Sequence, residues 1–435
     1  MRKTFAILGL LMASISIWAQ HIEFEEYTLP NGLHVILQQD KSAPVVTTSV
    51  MYHVGAKDEN PDRTGFAHFF EHLLFEGTEN ISRGQWDKIL GSHGGQGNAN
   101  TSDDRTYYYE TFPSNNLELA LWMESERMFH PVINQIGVDT QREVVKEEKR
   151  LRMDNAPYGS IWEAIKKNLF VKHPYRWAPI GSMEHLNAAT LEEFQAFFKK
   201  FYVPNNAVLV VAGDFDAAQA KKWIGDYFGT IPKGAEVVKT KYTEDPITTQ
   251  INAVYEDPNI QLPMLLNAYR TPSMKERDAR VLDMVSSILS DGKSSRLYKR
   301  LVDNDKLALE VTSFNMSEED YSTYIMAAIP MTGKTMKEVQ TVIDEEINKI
   351  CTELVSEREF EKLQNQYENM YVNQNATSDG VAHNLAGYYL LYGDTNLINT
   401  EIDIYRSVTR EEIKEVANRY LKPNQRLVLD YIPKK

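Results

Sequence analysis

The sequence predicts an α+β fold of two homologous halves, each a mostly antiparallel sheet packed with helices, the second half a degenerate repeat of the first. Three observations lead there. Residues 190–211 and 409–430 share one pattern: a Thr N-cap, an acidic first turn, a helix, a Pro-Asn turn and a strand. The stretch His72-Leu-Leu-Phe-Glu-Gly-Thr aligns with Ser287-Ile-Leu-Ser-Asp-Gly-Lys, each following a strand and a helix. Strand-like and helix-like segments alternate within each half.

Taken in order, Arg2 and Lys3, a short apolar run and the small residue Ala19 read as a secretory signal peptide over residues 1–19. The apolar run is too short for a membrane span, and nothing after residue 20 is long and apolar enough to cross a bilayer. The mature chain is therefore expected to be periplasmic or secreted, without stable membrane insertion. A first domain is placed at 20–235, with strands near 23–28, 33–38, 45–54, 105–112 and 207–213. Its helices fall near 64–75, 82–92, 115–129, 138–154, 159–170 and 190–201. The glycine-rich stretch from Gly94 reads from its residues as a mobile loop. Residues 236–250, charged and without apolar periodicity, read as a surface linker, and 251–435 as the second domain.

Composition narrows the function classes. Cys351 is the only cysteine, so an exported chain cannot form an internal disulfide and depends on core burial, which 42% hydrophobic residues allow. A net charge of −14 argues against nucleic acid and for tolerance of basic peptides.

The chemistry centres on Phe66-Ala-His-Phe-Phe-Glu-His-Leu-Leu. On a helix His68 and His72, four apart, leave one face a turn apart, the separation one metal ion can bridge. Glu71 lies between them, where its carboxylate can reach a water held by the same metal. His-x-x-Glu-His on a helix is the inverse of the commoner His-Glu-x-x-His zinc signature. Catalytic zinc takes three protein ligands, and the acidic helix around residues 141–150 offers Glu143, Glu147 and Glu148, among which spacing does not choose. In the second half Asp283, Ser286 and Ser287 align with His68, Glu71 and His72, so that copy has no metal box. The remaining histidines, among them His53, His93, His130, His173 and His185, read as structural or surface residues.

These motifs, with Asn98-Ala-Asn-Thr-Ser-Asp and the degenerate second half, resemble the pitrilysin or M16 metallopeptidases, and the resemblance covers nearly the whole mature chain. It implies a zinc endopeptidase in which His68, His72 and Glu148 hold Zn2+ and Glu71 is the general base. It also implies that the backbone at Asn98 and Ala99 forms an exposed strand edge to which an extended peptide adds as a further strand. Two departures from the family pattern stand out. Gln141 replaces a glutamate that helps orient the site, and an amide can still hydrogen bond there. Val302 and Leu309 occupy the positions where relatives acting alone place an Arg and a Tyr near the metal. The chain therefore resembles the zinc-bearing subunit of two-chain members, similar to the beta subunit of the mitochondrial processing peptidase, with a non-identical partner expected to supply the Arg/Tyr pair. The alternative is a non-catalytic peptide-binding or assembly subunit.

Overall fold

The computed structural model describes residues 21–434, so the leader read over 1–19 lies outside them. The strands of the first half are β1 (Glu25–Thr28), β2 (His34–Gln39), β3 (Val45–Tyr52), β4 (Gln96–Thr101), β5 (Thr106–Pro113) and β6 (Ala207–Gly213). Its helices are α1 (Phe66–Leu73), α2 (Trp86–Ser92), α3 (Leu117–Phe129), α4 (Gln135–Lys149), α5 (Ile161–Leu169), α6 (Met183–Ala188), α7 (Leu191–Phe201) and α8 (Ala217–Phe228). The second half has strands β7 (Ile251–Asp257), β8 (Met264–Thr271), β9 (Ala308–Met316), β10 (Ser322–Pro330) and β11 (Arg426–Pro433). Its helices are α9 (Arg277–Ser290), α10 (Met336–Thr352), α11 (Glu357–Gln374), α12 (Ser378–Gly387), α13 (Leu397–Arg406) and α14 (Arg410–Tyr420).

The strand orders are β1-β2-β6-β3-β5-β4 and β7-β11-β8-β10-β9. Without β1 they correspond strand for strand, and even the parallel pairs, β2 with β6 and β7 with β11, match. The other pairings are antiparallel, so the α+β class predicted from the sequence holds and the repeat extends to the whole topology. Thr190 and Thr409 do cap α7 and α14, each accepting from the backbone N–H three residues on.

The glycine-rich stretch departs from the loop expectation. Residues 96–101 form β4, the outer strand of the first sheet, with Asn98 opposite Tyr109 and Thr101 opposite Thr106. Gly and Asn are poor strand formers by themselves, and the long, largely buried β5 templates this strand.

Helices α1, α3, α7 and α8 bury one face of the first sheet. Its other face, including Ile36, Met51, Tyr107 and Val210, is covered by Val381, Ala382, Leu385 and Ala386 of α12 from the second half. Reciprocally, Ala164, Ile165 and Leu169 of α5 cover Leu266, Ala268, Ile325 and Leu429 of the second sheet. Each half lends one helix to the other, so neither sheet is covered on both faces by its own half alone. That double coverage explains why all seven residues of β6 are buried and why the strand reads as a continuous apolar run. Residues 236–250 carry no helix or strand, yet the segment is pinned. Glu244 accepts from the N–H groups of Val171, Lys172 and His173 and pairs with Arg270 at 3.1 Å.

Candidate metal centre

Helix α1 is set by its apolar stripe. Phe66, Phe69 and Phe70 stack on α7, with Phe69 and Phe66 at 4.3 and 4.5 Å from the ring of Phe194. That packing turns His68, Glu71 and His72 to the other side. The N-terminus of α1 has no Ser or Thr cap. Instead the buried carboxyl of Glu59 accepts from Gly65 N and Ala67 N, both at 2.9 Å, and so satisfies two of the N–H groups left open at the start of the helix. Gly65 has φ +97°, and a Cβ there would lie 2.9 Å from the Ile180 carbonyl oxygen, so glycine is required.

Helix α4 packs against α1 through a stripe containing the buried Val138 and Val145, and Glu148 lies three residues beyond the second. Glu143 and Glu147 face outward and pair with Lys146 and Arg150, at 2.9 and 3.0 Å. The three candidates left open by spacing are thus separated by packing, and Glu148 joins the histidines. Its Oε2 lies 3.0 Å from His72 Nε2 and 3.5 Å from His68 Nε2. One ligand atom from each of the three residues lies within 4.8 Å of the others.

These donors fit zinc. Glu148 Oε2 is buried, faces both imidazoles and meets no other partner among the described residues, so the three donor atoms converge on one point. Burial, reinforced by His72, pushes His68 down to about 4, which keeps its imidazole neutral and its Nε2 lone pair available at neutral pH. Two nitrogens and one carboxylate oxygen match the donor set of catalytic zinc sites, which keep a fourth position open. The other oxygen of Glu148, Oε1, forms an ion pair with Arg152 Nη1 at 2.8 Å. Arg152 sits in a π-helical turn, Arg150–Asp154, that continues α4, and its i, i+4 spacing from Glu148 was visible in the sequence.

Glu71 stands apart from the three donors. Burial raises its pKa, and the strongest opposing influence is a hydrogen bond from Thr101 Oγ1 to its Oε2 at 2.7 Å. Thr101 and Glu59 escaped sequence reasoning because their partners lie 30 residues or one tight turn away without a periodic signal.

The remaining expected residues are placed differently from the simplest reading. Gln141 does not bond to His68, His72 or Glu148. Its Nε2 donates to Glu76 Oε1 at 2.5 Å, because the Glu76 carboxylate, itself paired with Arg83, is the acceptor its amide meets. Asn98 and Ala99 lie on the outer strand β4. Ser102 N donates to Arg105 O at 2.9 Å, and ladder alternation then turns the backbone groups of Asn98 and Asn100 toward β5 and those of Gly97, Ala99 and Thr101 outward. Accordingly Ala99 N donates to the Asn98 side chain, Oδ1, at 2.9 Å, rather than to β5. The outward pairing groups therefore belong to Ala99, not Asn98.

In the second half, Val302 packs on the core and Leu309 is about half exposed on β9. The neighbouring Arg296 and Arg300 pair with Glu359 and Glu346 inside that half, both at 2.9 Å. Where α1 carries ligands, α9 carries Asp283, bonded by Asn315 and Tyr405, and Ser287, 3.3 Å from the Tyr367 hydroxyl.

Comparison with known proteins agrees with this architecture. The family described as Insulinase (Peptidase family M16) matches residues 34–176, and that described as Peptidase M16 inactive domain matches residues 188–367. The zinc protease PqqE of Helicobacter pylori is 30% identical over 422 residues, covering 96% of this chain and 94% of the relative. The crystal structure of a protease from Helicobacter pylori superposes with a TM-score of 0.90 at 29% identity, covering 95% of this chain and 100% of the other. The fold alone is shared with the periplasmic protease PqqL of Escherichia coli, at a TM-score of 0.80 and 19% identity over 96% of this chain and 48% of that one. With the two M16 halves matched in order and a relative at this identity over almost the full length, the chain belongs to the insulinase family of M16 zinc peptidases.

Proposed function

We propose that the chain is an exported zinc-dependent endopeptidase that cleaves extended peptides, and that it works as the zinc-bearing subunit of a pair with a non-identical M16-like chain. The observation that carries the catalytic part is the convergence of His68 Nε2, His72 Nε2 and Glu148 Oε2 beside a separately held Glu71. His68, His72 and Glu148 would hold the metal. Zinc there would supply Lewis acidity toward water and toward the scissile carbonyl. Glu71 takes a proton from water as the water oxygen bonds to the carbonyl carbon, and returns it to the amide nitrogen as the C–N bond breaks. The outward backbone groups of Gly97 and Thr101 and the C=O of Ala99, whose N–H is held by Asn98 Oδ1, pair with the peptide backbone, which selects extension over sequence.

Export rests on the leader-like composition of residues 1–19, and a periplasmic or secreted location follows from it. The paired assembly rests on Val302 and Leu309, which cannot polarise a carbonyl, and on the engagement of Arg296 and Arg300 within their own half.

The test is hydrolysis of a quenched, unstructured peptide by the mature chain, purified alone and recovered with its natural partner, each with and without chelator. Chelator-sensitive activity only in the paired sample is the expected result. Equal activity from the lone chain would remove the partner. Absence of chelator-sensitive activity from both samples would favour a non-catalytic peptide-binding subunit.

A further inference from the structure

One side chain joins the base to the strand edge. Thr101 is the last residue of β4, and its hydroxyl donates to Glu71 Oε2 at 2.7 Å across the space between β4 and α1. By the same ladder alternation its own backbone N–H and C=O face outward, in line with those of Ala99. The other oxygen of Glu71, Oε1, has no hydrogen-bond partner among the described residues. A glutamate side chain has three rotatable bonds, so a carboxylate that must meet one particular proton gains from having one oxygen fixed.

We infer that Thr101 is a positioning residue that indexes the base to the bound peptide. Its hydroxyl holds Glu71 Oε2 and leaves Oε1 as the oxygen that takes the proton, while its backbone pairs with the peptide strand. A peptide paired at Ala99 and Thr101 then meets Glu71 in one register only. This rests on the proposed endopeptidase reading. A threonine that merely stabilised an outer strand would affect folding and zinc loading, and would leave turnover by the folded, zinc-loaded protein unchanged.

The variants that separate these roles are Thr101→Val, which keeps volume and β-branching without the hydroxyl, and Thr101→Ser, which keeps the hydroxyl. They are measured in the zinc-loaded full chain, with its partner where the wild type needs one. For Thr101→Val, kcat is expected to fall about ten- to a hundredfold with KM within about twofold, the scale of a misplaced catalytic group. Zinc affinity, measured by chelator competition, stays at the wild-type value. Thr101→Ser restores most of kcat, and Thr101→Val adds no further loss when Glu71 is already Gln. In the crystal structure of the zinc-loaded Thr101→Val protein the Glu71 carboxylate leaves its wild-type position. Wild-type kcat with an unmoved Glu71, or equal losses in the Val and Ser variants, overturns the inference. If the wild type hydrolyses no peptide the endopeptidase reading fails instead, and the position of Glu71 in the Val variant decides whether Thr101 holds it.

Discussion

Replacing Glu71 by Gln separates chemistry from metal binding. The exchange preserves the volume of the side chain, and the amide oxygen can still accept from Thr101 Oγ1, now 2.7 Å from Oε2. Folding stability should therefore change by about 1 kcal/mol or less, the net worth of one hydrogen bond. The three converging donors are His68, His72 and Glu148, so zinc should stay bound at one per chain. What disappears is the proton acceptor. General-base catalysis contributes about 10²- to 10⁴-fold, so kcat should drop by that factor, about 3–5 kcal/mol of barrier. The assay is steady-state hydrolysis of a quenched peptide, with zinc content and thermal unfolding measured on the same preparation. Loss of zinc in Glu71→Gln would show that Glu71 is a ligand, and a kcat within about tenfold of wild type would remove it as the base. His72→Ala provides the contrast, since it should lose zinc itself.

Two further predictions probe the scaffold. Arg127 is fully buried, bonded to Glu110 at 2.5 Å and Glu124 at 3.1 Å, and its guanidinium lies 4.1–4.6 Å from the rings of Trp86, Phe75 and Tyr108. Tyr108 in turn donates to the Phe70 carbonyl of α1. Arg127→Met strands two buried carboxylates and should cost about 3–5 kcal/mol in denaturant unfolding, and a loss below about 1 kcal/mol would contradict the pairing. In the second half, burial pushes Asp283 up to about 7 from an ordinary value of 3.8, against hydrogen bonds from Asn315 and Tyr405. Because the folded-state value is the higher, its neutral form stabilises the fold at low pH, and that contribution declines as pH rises from about 4 through about 7. The melting temperature of the wild type should fall more steeply between pH 5 and 8 than that of Asp283→Asn, and parallel curves would refute the assignment.

The sequence by itself determined whatever depends on local periodicity. Four-residue spacing put His68 and His72 on one helical face, and the Thr190 and Thr409 caps with their Pro-Asn turns marked the repeat, since helix and turn geometry are set within a few residues. The metal half of α4 was partly legible. Glu143, Glu147 and Glu148 were equivalent in the sequence, and only the docking of α4 on α1, through the buried Val138 and Val145, tells which acidic group meets the imidazoles. Tertiary structure alone decided the rest. Gln96–Thr101 becomes a strand because β5 offers it a ladder, against its own propensity. Glu59 caps α1 and Thr101 holds Glu71 through contacts no period announces. The exchange of α5 and α12 between the halves arises because each sheet has a second apolar face that must be buried, and burial is non-directional: an apolar stripe shows that a helix will be covered, not by which half of the chain.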